Sequence, residues 1–243
     1  LGVTLTSLGY RVVLVDLDLG GSDLHIYLGH RSIPSVTIND YLARRSSSLN
    51  EVVLHKEGAP SLIAGNNSEL GIANIPFQRK MRLIDALRKI DADYVILDLG
   101  GGTDFNTLDF FLAADTGIVL TTLDQPSYLE AYALIKTALQ RKLSRLFGAD
   151  SSFAHRGSET LRRLVQIGTQ ASDKDNQRTV PELLETVARD YPLGLALMAE
   201  EILGFSPLLV INRSFNPGEA ARVTGTLRSV ARHRLCVDLG YVG

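Results

Sequence analysis

Short apolar runs alternate along this chain with longer stretches in which apolar positions recur every three or four residues. The first kind reads as buried strands, the second as helices with one covered face. Residues 1–8 read as the body of a helix closed by Gly9. A strand at 11–16, a short helix at 36–44 and a short strand at 61–65 follow. Met81, Leu83, Ile84, Leu87 and Ile90 supply the apolar side of a helix from Phe77 to Ile90, and a strand at 93–98 comes next.

The second half repeats the alternation. A helix is predicted from Asn106 to Ala114 and a strand at 117–122. Ser127 and Glu130 have the spacing of a capping box that opens a helix to about Phe147. Thr179 and Glu182 repeat that spacing and start two helices over 179–203, broken near Pro192. A strand at 207–212, a helix at 217–232 and a last strand near 235–239 close the chain.

Strands alternating with helices predict an α/β fold: a doubly wound, mainly parallel sheet with helices on both faces. The 243 residues suit one domain over 1–243. Residues 149–180 stand apart, with polar runs at 155–159 and 172–178 around one short amphipathic stretch on Leu161, Leu164, Val165 and Ile167. They read as a polar surface excursion within that domain, too small for a core of their own.

Composition narrows the function classes. The net charge is -2 and the pI about 6.2, so no global basic field favours nucleic acid, and no specific nucleic-acid partner is expected. The basic groups at Arg141, Lys142 and Arg145, and at Arg222, Arg228, Arg232 and Arg234, read as solvated helix faces. Cys236 is the single cysteine, which fits a reducing cytoplasm and excludes an intramolecular disulfide. No apolar run approaches the roughly 18–20 residues of a membrane span. The five histidines show no metal-ligand spacing.

The chemistry concentrates at two strand ends. Val12-Val13-Leu14-Val15-Asp16-Leu17-Asp18 runs into Gly20 and Gly21, and Tyr94-Val95-Ile96-Leu97-Asp98 runs into Gly100, Gly101 and Gly102. If the first strand continues to Asp18, both acids face one side; if it ends at Asp16, the turn sets where Asp18 points. Either acid can approach a metal or a water, or simply terminate the strand. Asp98 has the form of a Walker B residue, which holds Mg²⁺ directly or through water. Glycines 100–102 can present backbone N–H groups to a phosphate, because no Cβ blocks approach, or make a tight turn alone. Asn212-Arg213, after a third apolar run, offers an amide matched to an adenine edge, or a loop cap. No Gly-rich loop ending in Lys-Ser/Thr occurs in the 243 residues.

Together these stretches, with Leu108-Asp109-Phe110-Phe111-Leu112-Ala113-Ala114-Asp115 and Ala131-Tyr132-Ala133-Leu134-Ile135-Lys136, resemble the MinD/ParA class of deviant P-loop ATPases. Within it they look most like the FlhG-type branch, linked to flagellar number and placement. The resemblance runs in order over most of the chain and is weakest at 149–180. It implies a SIMIBI-type P-loop fold that uses ATP and Mg²⁺ and dimerises through its nucleotide face. It implies Asp18 as the residue that orients the attacking water, Asp98 as the magnesium residue and Asp16 as a supporting acid near the metal. Gly100, Gly101 and Gly102 would form the turn that senses γ-phosphate, and Asn212, with Arg213, would read adenine.

The family's phosphate loop and first strand, about 15 residues together, would lie just before Leu1. The resemblance therefore predicts a chain trimmed at both ends, with ATP binding impaired as it stands because the helix N-terminal anion cradle is absent. It also predicts a C-terminal helix beyond Gly243, the only route to membrane contact. The expected setting is cytoplasmic, peripheral to the inner membrane or at a cell pole, with a protein regulator or cargo as partner. Two other readings stay open. One is an inactive scaffold that keeps the fold and binds protein partners. The other is a haloacid-dehalogenase-like phosphatase built on Asp16-Leu17-Asp18, which Gly20 and the preceding helix disfavour.

Overall fold

The computed structural model describes residues 1–67, 75–147, 159–161, 163–165 and 179–242. They fall into two compact units, Leu1–Ala114 and Asp115–Gly243.

The first unit is built on β1 (Val12–Asp16), which lies between β2 (Ser61–Ile63) and β3 (Tyr94–Asp98) and runs parallel to both. Every residue of β1 is buried, because helices cover both of its faces. Val13 and Val15 join a core with Ile38, Tyr41 and Leu42 of α3 (Ile38–Leu42), Leu83, Ile84 and Leu87 of α4 (Phe77–Leu87), and Phe110 of α5 (Phe105–Phe111). Val12 and Leu14 pack on the other side with Leu5 of α1 (Gly2–Ser7) and Leu24 of α2 (Leu24–Tyr27). A run buried on both faces shows no polar alternation, which is why β1 reads as a continuous apolar string.

In the second unit β5 (Leu208–Ile211) pairs in parallel with β4 (Ile118–Thr121) on one side and β6 (Gly240–Tyr241) on the other. Its long helices are α6 (Gln125–Leu146), α7 (Val180–Asp190), α8 (Pro192–Leu203) and α9 (Pro217–Leu235). α6 buries Ala131, Ile135, Ala138, Leu139 and Leu143, a stripe at helical spacing. The predicted capping box at Thr179 and Glu182 is formed, and Tyr191, at φ −146° and ψ 69°, breaks α7 from α8 before Pro192. Parallel sheets flanked by helices make this an α/β protein.

Several boundaries differ from the sequence reading. α6 opens at Gln125 under Asp124, which accepts from the backbone N–H of Ser127; Ser127 is inside the helix, and its hydroxyl accepts from Thr122 N at 3.0 Å. The helix predicted to end at 232 continues to Leu235, where Cys236 takes a left-handed φ of 57° and stops it. The last strand therefore comes at Gly240–Tyr241 rather than at 235–239. α2 and a 3₁₀ turn at Leu49–Val52 were not foreseen, since neither is long enough to carry a period. Most of the predicted polar excursion at 149–180 lies outside the described residues; within it, 159–161 and 163–165 are helical, with Leu161 and Val165 buried. No helix among the described residues is long and apolar enough to cross a membrane.

Candidate functional site

The parallel register sets Asp16 directly beside Asp98, at the C-terminal ends of β1 and β3. Ligands of open α/β sheets bind outside this end of the strands. The strand ends at Asp16, so the turn, not the pleat, decides where Asp18 points. Leu17 N donates to Asp98 O at 2.8 Å and ties the turn to β3. The Asp18 carboxylate accepts from Gly21 N at 3.0 Å, and the Asp18 carbonyl accepts from the Ser22 hydroxyl at 2.8 Å.

This brings Asp18 against the glycine turn after β3. A Cβ on Gly100 would sit 2.8 Å from Asp18 Oδ1, inside the contact distance of any side chain. A side chain at Gly100 would displace the Asp18 carboxylate from this position, and Gly102 is favoured by its φ of +105°. Gly101 meets neither demand, because nothing lies within 4 Å of where its Cβ would be. Gly101 is also exposed.

Asp16 is 1% exposed. Its Oδ2 accepts from Leu24 N at 3.2 Å, and its Oδ1 has no hydrogen-bond partner among the described residues. Burial pushes its pKa up to about 6; the bond from Leu24 opposes the shift, and the charges of Asp98 and Asp18 add to it. Asp98 is also raised, first by desolvation, then by the charges of Asp23 and Asp18. The corner thus holds carboxylates that repel one another, one of them with an open lone pair in a buried place. A cation beside them would relieve both penalties.

Among the described residues no three acidic, histidine or cysteine side chains gather as a metal cage. Mg²⁺ is usually held by one or two carboxylates, with waters and phosphates completing its shell. The unpartnered Asp16 Oδ1 and the neighbouring Asp98 fit such an ion.

Asn212 and Arg213 belong to the second unit, at the end of β5. Asn212 N donates to Thr121 O at 2.7 Å, and its side-chain oxygen accepts from Arg213 N at 2.9 Å. Arg213 takes a φ of 55°. The local geometry is that of a loop cap, with the side-chain oxygen engaged by its own loop.

The sequence reading missed Asp23, which acts on Asp98, and Gly65, whose Cβ would fall 3.3 Å from Asp16 Cγ. A glycine two residues beyond the end of β2 was the available signal for Gly65. It also missed His25, 4% exposed with its Nδ1 unpartnered among the described residues.

No protein-family model matches the sequence. The chain is 26% identical over 171 residues to the flagellum site-determining protein YlxH of Helicobacter pylori, covering 69% of this chain and 57% of that protein. It is 28% identical over 177 residues to the antiactivator FleN of Pseudomonas aeruginosa, covering 72% of this chain and 61% of that protein. Its homologues are MinD, YlxH and FleN proteins. The matches to these MinD/ParA-class relatives span 42% to 61% of the relatives' own lengths. A MinD structure from Pyrococcus horikoshii, solved with Mg-ADP, superposes with a TM-score of 0.48 at 19% identity, covering 55% of this chain and 54% of that one.

Proposed function

We propose that this chain is the body of a MinD/ParA-class ATPase whose ATP-dependent dimerisation acts as a spatial or regulatory switch, of the kind that sets flagellar placement or number or positions a polar cargo. The carrying observation is the corner formed by Asp16, Asp18, Asp98 and Gly100, with a buried carboxylate oxygen that has no hydrogen-bond partner among the described residues. The homology to YlxH and FleN supports the same reading and its protein partners.

In this reading Asp18 accepts a hydrogen bond from the attacking water, and Gly21 N holds its carboxylate in place for that task. Gly101 and its neighbours offer backbone N–H groups toward the terminal phosphate. Asp98 and Asp16 are the residues that would hold a magnesium ion, which would supply charge neutralisation on the phosphates. Within the second unit, Asn212 and Arg213 are the residues proposed to read adenine.

The test is hydrolysis and Mg-ATP binding by the full-length gene product. Asp18→Ala is expected to slow hydrolysis by about 10²–10⁴-fold while ATP affinity stays within a few fold. An Asp18→Ala protein that folds but no longer binds ATP would remove Asp18 from the catalytic role. The second reading is an inactive scaffold for protein partners, which a full-length gene product without a Gly-rich Lys-Ser/Thr loop would favour. A full-length protein that neither binds Mg-ATP nor dimerises with it would establish the scaffold and overturn the ATPase.

A further inference from the structure

Lys80 occupies a core position on α4 and is only 3% exposed. Its ammonium lies 2.5 Å from Asp109 Oδ2, 3.1 Å from Asn106 Oδ1 and 3.2 Å from Phe105 O. An ammonium has three donors, so all three are engaged, and every acceptor belongs to α5. The two charged side chains are 4% and 0% exposed.

Such a pair is a poor source of stability. Desolvating two charges offsets most of their attraction, and an apolar pair of similar volume often serves as well or better. What an apolar pair does not supply is direction. Three bonds from one nitrogen fix both the rotation of α5 about its axis and its height along α4.

The start of α5 is the far end of the glycine turn. At the near end Asp98 is held by the sheet register and by Leu17 N. At the far end Asp104 caps α5, accepting from Asn106 N at 2.8 Å and Thr107 N at 3.2 Å, and Lys80 grips the two residues that follow the cap. Residues 99–103 are thus a short bridge between two anchors. One anchor is β-sheet; the other is the buried ion pair.

We propose that the Lys80–Asp109 pair is the positioning element of the glycine turn, holding α5 so that Gly100–Gly102 stay set against Asp18 and Asp98. Lys80 and Asp109 touch no ligand; they act through the turn. The proposal rests on the nucleotide reading above only for what the turn receives, a terminal phosphate. A pre-set turn lets that phosphate find its amides without ordering them first.

Two variants test it. Lys80→Met/Asp109→Leu replaces the pair by apolar groups, and Asp109→Asn keeps shape but removes one charge. The double variant is expected to unfold near the wild-type urea midpoint. Backbone order parameters at Gly100–Gly102 are expected to fall from about 0.85 to below about 0.6, with β1 unchanged. In the full-length protein the preference for ATP over ADP is expected to drop about tenfold. Unchanged order parameters at the turn in both variants would overturn the proposal, because a merely structural pair would alter the urea midpoint alone. If the double variant does not fold, Asp109→Asn decides by the same readout. Equal affinity of the wild type for ATP and ADP would sink the nucleotide switch, while the order parameters would still decide the role of the pair.

Discussion

Asp16 is a carboxylate whose charge is penalised by its own burial. Its pKa is raised to about 6 from an ordinary value near 3.8, chiefly by burial. The sign follows from linkage: between those values the native state binds more protons than the unfolded state, so stability falls as pH rises. The penalty is absent below about pH 4 and complete above the folded pKa, and a shift of this size corresponds to about 3 kcal/mol. Asp16→Asn removes the titration. Urea unfolding should show the variant gaining on the wild type by about 2–3 kcal/mol between pH 4 and pH 7.5; a difference constant with pH would mean Asp16 is not penalised. The glycine turn gives a second residue-scale prediction. Gly100→Ala drives a methyl to 2.8 Å from Asp18 Oδ1 and should cost about 1–3 kcal/mol by displacing that carboxylate. Gly101→Ala meets nothing and should stay within about 0.5 kcal/mol. Equal effects of the two would show that Asp18 does not press on the turn.

At the scale of elements, what could be read from the sequence depended on length and period. α4 carries an apolar stripe over three turns, and the strands at Val12–Asp16 and Tyr94–Asp98 are uninterrupted apolar runs; all were legible in place. α2 is four residues long and holds the Leu24 amide that bonds Asp16, so an element that shapes the site left no periodic trace. The start of α6 was misread for another reason. Ser127-x-x-Glu130 has capping-box spacing, but Asp124 lies ahead of Pro126, whose fixed φ suits a first helical turn, and the acid takes the cap. Asp124→Ala should therefore lower stability by about 1 kcal/mol, whereas Glu130→Ala should change it little, as chemical denaturation would report. The reverse order would restore the capping box at Ser127. At the candidate site, the sequence placed Asp16, Asp98 and Gly100 at the ends of two apolar runs, and the structure brings them together with Asp18. Lys80 and Asp109 were not legible, since a lysine and an aspartate 29 positions apart give no local sign that they share a buried pocket of charge.

At the scale of the whole molecule, each sheet has open edges among the described strands. β3 and β4 each pair with a strand on one side only among the described strands. β4 also leaves Ile118 38% and Leu120 61% exposed, although parallel strands are ordinarily covered on both faces. An apolar strand with a free edge and no lysine, proline or bulge to guard it is a template for further pairing. The chain of residues 1–243 should therefore self-associate in solution with or without nucleotide. Sedimentation velocity over a tenfold concentration range would detect it, and Leu120→Lys should shift the population toward monomer. Asp98→Ala, which changes no residue of β4, should leave this association untouched. The switch proposed for the full-length protein has the opposite signature: association that appears with Mg-ATP, disappears with Asp98→Ala and is indifferent to Leu120→Lys. A single association that responded to both substitutions would merge the two surfaces into one and require the strand-edge argument to be abandoned. A chain that stayed monomeric at every concentration would do the same, and would mean that β4 carries its exposed leucine without consequence for assembly.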